Sequence, residues 1–112
     1  MAGTLLVTFA DMHVNSTTGL CPPTVRLDDG GYYYHSQAQL RDLWNPWHEC
    51  LEYVKRRARE LKARVVVICN GDGPDLLSHC HHQLVTLNRA VVVRMTCEVL
   101  EPWRKLVVTV RE

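Results

Sequence analysis

A chain of 112 residues, 46% of them apolar, makes one folding unit with a single core of ordinary size. Its 13 lysines and arginines nearly balance 12 aspartates and glutamates, for a net charge of +1. That balance excludes a global field favouring nucleic acid, an anionic membrane or an acidic substrate. No apolar run is long enough to cross a bilayer, and the N-terminus lacks the segments of a secretion signal, so a soluble, cytoplasmic protein is expected. The five cysteines, Cys21, Cys50, Cys69, Cys80 and Cys97, are odd in number and spread through apolar stretches. They read as reduced, inert core residues and not as a disulfide framework or a zinc ribbon.

Leu5-Leu6-Val7-Thr8-Phe9 reads as a buried strand, followed by a long polar connection from Asp11 to about Gln37. A loop of that length in a small domain is more often functional than idle. Within it, Asp28-Asp29-Gly30-Gly31 followed by Tyr32-Tyr33-Tyr34 predicts a turn and the second arm of a small hairpin. The tyrosines read either as cover for a sheet edge or interface, or as a stacking platform.

A helix is predicted from Asn45-Pro46, preceded by a helical segment over Ser36 to Trp44. Trp47, Leu51, Val54, Ala58 and Leu61 form an apolar stripe that should pack on the sheet, and the opposite, basic-leaning face reads as solvated. The β-branched run Val65 to Ile68, continued by Cys69, predicts a central parallel strand. A second helix is predicted over Leu84 to Leu100, with Leu84, Leu87, Val91, Met95 and Val99 on one side. Val91-Val92-Val93 widens its apolar arc, so cover on a second side, from another subunit, is expected. Pro102 should end this helix, and Leu106-Val107-Val108-Thr109-Val110 should supply a third strand. The expected fold class is therefore α/β: a mainly parallel three- to four-stranded sheet flanked by helices, joined by right-handed crossovers, in one domain over residues 1–112.

Ligands of open α/β sheets sit at the C-terminal ends of strands. The first strand runs into Asp11 and His13, and the central strand into Asn70-Gly71-Asp72. Asn70-Gly71-Asp72 has two readings, a capped turn or a loop that throws a carboxylate into a crevice. If the strands are neighbours, Asp11, His13 and Asp72 converge, and aspartate and histidine two residues apart on an extended segment face one ion. Two carboxylates and an imidazole suit one divalent metal such as manganese, iron, nickel or zinc. Asp75 shapes the loop or orients a ligand from behind. His79-Cys80-His81-His82 reads either as a polar loop with Ser78 or a histidine near a cap, or as a source of substitute ligands or a general acid, with His81 and His82 the candidate catalytic groups.

Phe9-Ala10-Asp11-Met12-His13 and Asn70-Gly71-Asp72-Gly73-Pro74-Asp75 resemble the first two motifs, D-x-H and G-D-x-x-D, of calcineurin-like metallophosphoesterases. Gly19-Leu20-Cys21-Pro22-Pro23, Asp28-Asp29-Gly30-Gly31 and Trp44-Asn45-Pro46-Trp47 are similar to a phage and prophage subgroup. The resemblance implies that Asp11 and His13 bind the first metal and that Asp72 bridges to a second. The family's next motif, Gly-Asn-His-Asp/Glu, would begin about where this sequence reaches Val110-Arg111-Glu112. At most one metal per chain is thus expected from its own ligands. Two functions follow. One is a half-length metallophosphoesterase scaffold without turnover that binds a protein partner through an exposed sheet edge, for example a phage or mobile-element inhibitor of a host enzyme or defence complex. The other is a metal-dependent phosphoesterase, acting on a phosphoester substrate as a homo-oligomer.

Overall fold

Alternating apolar residues in Thr4–Phe9 and the β-branched run in Arg64–Cys69 favour extended backbone, and they form the parallel strands β1 and β4 of a two-stranded sheet. The computed structural model describes residues 3–71, 73–76 and 83–111. Thr4 pairs with Arg64 and Phe9 with Cys69, so the strands stay in register to their C-terminal ends. Between them come β2 (Thr24–Arg26) and β3 (Tyr32–Tyr34), an antiparallel hairpin. Its turn closes where the Leu27 carbonyl accepts from the Gly30 amide at 3.1 Å. Gly30 has φ +87°, a conformation that side chains disfavour. Tyr33 points inward, whereas Tyr32 and Tyr34 stack on each other in solvent with centroids 6.4 Å apart.

A helical path then runs through α1 (Gln37–Gln39), a π-helical turn (Leu40–Trp44) and α2 (Asn45–Leu61). Ser36 caps its start by accepting from the Gln39 amide. Asn45 was expected to cap α2, but the preceding residues are already helical and no side chain caps there. The π turn ends two residues before Pro46, which has no N–H to give to the helical ladder. Leu51, Val54 and Ala58 of the stripe are buried, while Leu61 at its end is 41% exposed.

The third strand does not form. Instead α3 spans Arg89–Arg111 as one helix with Pro102 inside it, so the sheet has two parallel strands and not three or four. A proline inside a helix costs about 3 kcal/mol. Trp103 and Leu106, 2% and 8% exposed, pack with Leu51, Val54, Ala58 and Val65. Burying two such side chains contributes roughly 1.5–3 kcal/mol each, which a chain leaving the helix at Pro102 would forfeit. The helix also starts later than Leu84, because Asn88 is its cap, accepting from the Val91 amide at 3.2 Å. Leu87, expected on the buried side, is 69% exposed before that cap.

Two clusters make the core. Met12, Val14, Leu20 and Val25 pack on Val91, Val92, Met95 and Val99 of the first half of α3, and its second half joins α2 and β4. Phe9 packs against both Trp47 and Trp103, with centroids 4.8 and 5.5 Å away. The opposite face of the sheet carries Leu6, 58% exposed, and Ile68, 46% exposed. Of the described cysteines only Cys21 is buried; Cys50, Cys69 and Cys97 are exposed, against expectation. Apolar neighbours in sequence had suggested burial, but Cys69 is the last residue of β4, and Cys50 and Cys97 line surface clefts. Cys80 and Ser78 lie outside the described residues. No helix among the described residues is long and apolar enough to cross a membrane.

Candidate functional site

Beyond the last paired residues, the two strands continue as loops laced together by backbone hydrogen bonds. Asn70 donates to the Phe9 carbonyl (2.8 Å), Asp11 to Gly71 (3.3 Å), Val14 to Gly73 (2.9 Å), and Asp75 back to Val14 (2.7 Å). Asp72 lies outside the described residues, as do His79, His81 and His82; its chain neighbours Gly71 and Gly73 both accept from the Asp11–Val14 loop.

That loop is not the extended segment expected from the sequence. Asp11, His13 and Asn15 have φ of +56°, +49° and +83°, so left-handed residues alternate with ordinary ones. Each such non-glycine residue costs on the order of 1 kcal/mol, and strain of this kind concentrates at functional sites. The coiled path still brings Asp11 and His13 together, with Asp11 Oδ1 4.0 Å from His13 Nε2.

His13 is held from its other side. Its Nδ1–H donates to Asp75 Oδ1 at 2.9 Å, and Asp75 is 5% exposed. The second oxygen, Asp75 Oδ2, makes no hydrogen bond among the described residues. Asp75 is fixed in turn by Asn15, a fully buried residue that sequence reasoning passed over. The Asn15 amide nitrogen donates to the carbonyls of Asp75 (3.0 Å) and Thr86 (2.9 Å), and its oxygen accepts from the Thr86 amide (3.0 Å). No local pattern marks Asn15, because its partners come from distant segments.

Below this lies a tight turn. A Cβ on Gly19 would stand 2.1 Å from the His13 carbonyl oxygen, so only glycine lets the chain return past His13. Buried His35 donates from Nε2 to the Gly19 carbonyl at 2.8 Å, and in the neutral ring its Nδ1 accepts from the Tyr33 hydroxyl at 2.8 Å. Cys21 packs beneath, its sulfur accepting from the Asn15 amide. Burial is the main cause that raises its thiol pKa from 9.0 to about 11, with the Asp75 charge adding to it against that hydrogen bond. Burial likewise raises the Tyr33 phenol.

Asp11 and His13 open onto a crevice of about 480 Å³ whose far wall is the π turn and the start of α2, including Asp42, Leu43, Pro46, Trp47 and Cys50. The Arg41 guanidinium grips Asp42 at 2.9 Å and holds its carboxyl below the usual range. Sequence reading had assigned none of these far-wall residues to the site. The signals were Pro46, which marks a perturbed helix start, and the Trp44-Asn45-Pro46-Trp47 stretch that contains it.

Donors 4.0 Å apart can both reach one cation at ligand distances of about 2.1 Å. Histidine ligands commonly donate their other ring N–H to a carboxylate, as His13 does to Asp75. Asp11 and His13 are thus two donors within reach of one cation, a pair and not a complete ligand set. Among the described residues no three histidine, cysteine or acidic side chains converge as a ligand cluster, the expected third ligand being Asp72. No protein-family model, curated protein or solved structure matches this chain.

Proposed function

We propose that this protein binds one divalent cation at the ends of β1 and β4, through Asp11 and His13 with Asp72 as third ligand, and through it a phosphoester, in the manner of the metallophosphoesterases its motifs resemble. One observation carries the reading. Asp75, buried behind His13, fixes the ring so that Nδ1 is engaged and Nε2 faces the Asp11 carboxylate. A ring so held loses little rotational freedom on binding a cation, and the carboxylate behind it raises the basicity of the ligand nitrogen. A divalent metal bound there supplies charge neutralisation to phosphoryl oxygens and lowers the pKa of a bound water.

Manganese titration of the purified chain, followed by the loss of the free-ion electron paramagnetic resonance signal, tests this. One ion per chain is expected in the wild type, with binding lost in Asp11→Ala and in Asp72→Ala. Unchanged binding in both variants rejects the reading.

A second reading is favoured by a separate observation. Parallel sheets are ordinarily covered on both faces, yet Leu6 and Ile68 lie exposed on the outer face of this one. That face supports binding of a protein partner, the role also expected for a scaffold without turnover. Mass in solution distinguishes a second copy of the chain from a foreign partner. Leu6→Lys combined with Ile68→Lys should abolish whichever association exists while leaving manganese binding intact.

A further inference from the structure

The crevice beside Asp11 and His13 has two walls of different chemistry. The loop wall offers the two candidate metal ligands, and the helix wall offers Leu43, Pro46 and Trp47. Leu43 is 37% exposed, a large apolar side chain left partly uncovered within the π turn, and such turns recur at functional sites. Among the described residues that line the crevice there is no lysine or arginine, and Asp42 adds a carboxylate to the helix wall.

From this arrangement we infer the class of ligand, resting on the cation reading above: an organic phosphate or phosphonate whose other half is a flat apolar ring. The phosphorus group lies at Asp11 and His13, and the ring lies against Leu43, Pro46 and Trp47. Charge sets the orientation. An anionic group gains nothing on the helix wall, where the Arg41 guanidinium is already paired with Asp42, and on the loop wall it needs a cation to offset Asp11. The ligand therefore binds after the metal. The size agrees, since clefts of roughly 300–1,000 Å³ hold small organic ligands and this one has about 480 Å³.

Calorimetry on the full chain loaded with manganese tests the inference with two probes that cannot be hydrolysed, phenylphosphonate and methylphosphonate. Phenylphosphonate should bind at least about tenfold more tightly, the gain expected from burying an aryl ring. Leu43→Ser should bring that ratio near one while leaving the methylphosphonate affinity within about twofold. In the wild type, phenylphosphonate but not methylphosphonate should slow alkylation of Cys50, which lines the same crevice, and leave alkylation of exposed Cys97 unchanged. This second measurement does not depend on how the variant folds. Manganese bound with equal affinity for both phosphonates, or with Cys50 unprotected, overturns the ligand class alone. Failure of manganese itself to bind overturns the cation reading and this inference with it.

Discussion

Asp75 Oδ1 stands 2.9 Å from His13 Nδ1 across 62 residues of sequence, and it holds the imidazole with its other nitrogen towards Asp11. If this contact orients a ligand, weakening it should show in metal affinity before it shows in fold. Asp75→Asn removes the charge behind the ring but keeps a similar shape. Manganese affinity should fall by about 10- to 100-fold, the usual effect of losing such a partner. Equal affinity in variant and wild type would show that Asp75 serves packing alone.

The turn under His13 makes a sharper structural claim. Gly19→Ala would place a methyl 2.1 Å from the His13 carbonyl, and backbone must move to admit it. A loss of about 2–3 kcal/mol in urea unfolding is expected, the upper range for overpacking. At Gly31 an added Cβ meets only the exposed Asp29 side chain, at 3.1 Å, so Gly31→Ala should cost well under half as much.

Alkaline pH should act through Cys21. Its folded pKa lies above the unfolded value, so the unfolded thiol ionises first. Stability is then complete below pH 9.0 and is lost as pH climbs towards about 11. The loss is on the order of 2–3 kcal/mol, because each unit of difference is worth about 1.4. Tyr33, raised in the same direction, adds to the decline only at higher pH. Urea midpoints measured under reducing conditions between pH 8 and 11 should fall in the wild type, and Cys21→Ala should flatten the first part of that slope.

Helix α3 tolerates Pro102 because Trp103 and Leu106 are buried beyond it. Pro102→Ala should restore the hydrogen bond to the Glu98 carbonyl and stabilise the fold by about 1–3 kcal/mol, with a gain in far-ultraviolet helical signal. Trp103→Ala should destabilise by about 3–5 kcal/mol, since it empties the centre of the second core cluster. Were residues 106–110 a strand, the alanine at 102 would leave the helical signal unchanged.

Much of the local architecture can be read directly from residue order. Alternation and β-branching mark β1 and β4, Asp-Asp-Gly-Gly marks the hairpin turn, and the four-three spacing from Trp47 marks the buried stripe of α2. These are properties of neighbouring residues, and backbone preferences act at that range. Tertiary structure decided the rest. Val107-Val108-Thr109-Val110 has the composition of a strand, yet its backbone continues the helix, because distant side chains bury Trp103 and Leu106 just ahead of it and hold the chain helical past Pro102. The exposure of Cys50, Cys69 and Cys97 follows from which faces the neighbouring elements leave uncovered. In the candidate site, Asp11 and His13 are neighbours in the chain, but the bond that orients His13 and the Asn15 network behind it join segments more than 50 residues apart. No short-range preference encodes such bonds; they exist only once β1 and β4 have paired and the loops beyond them close side by side.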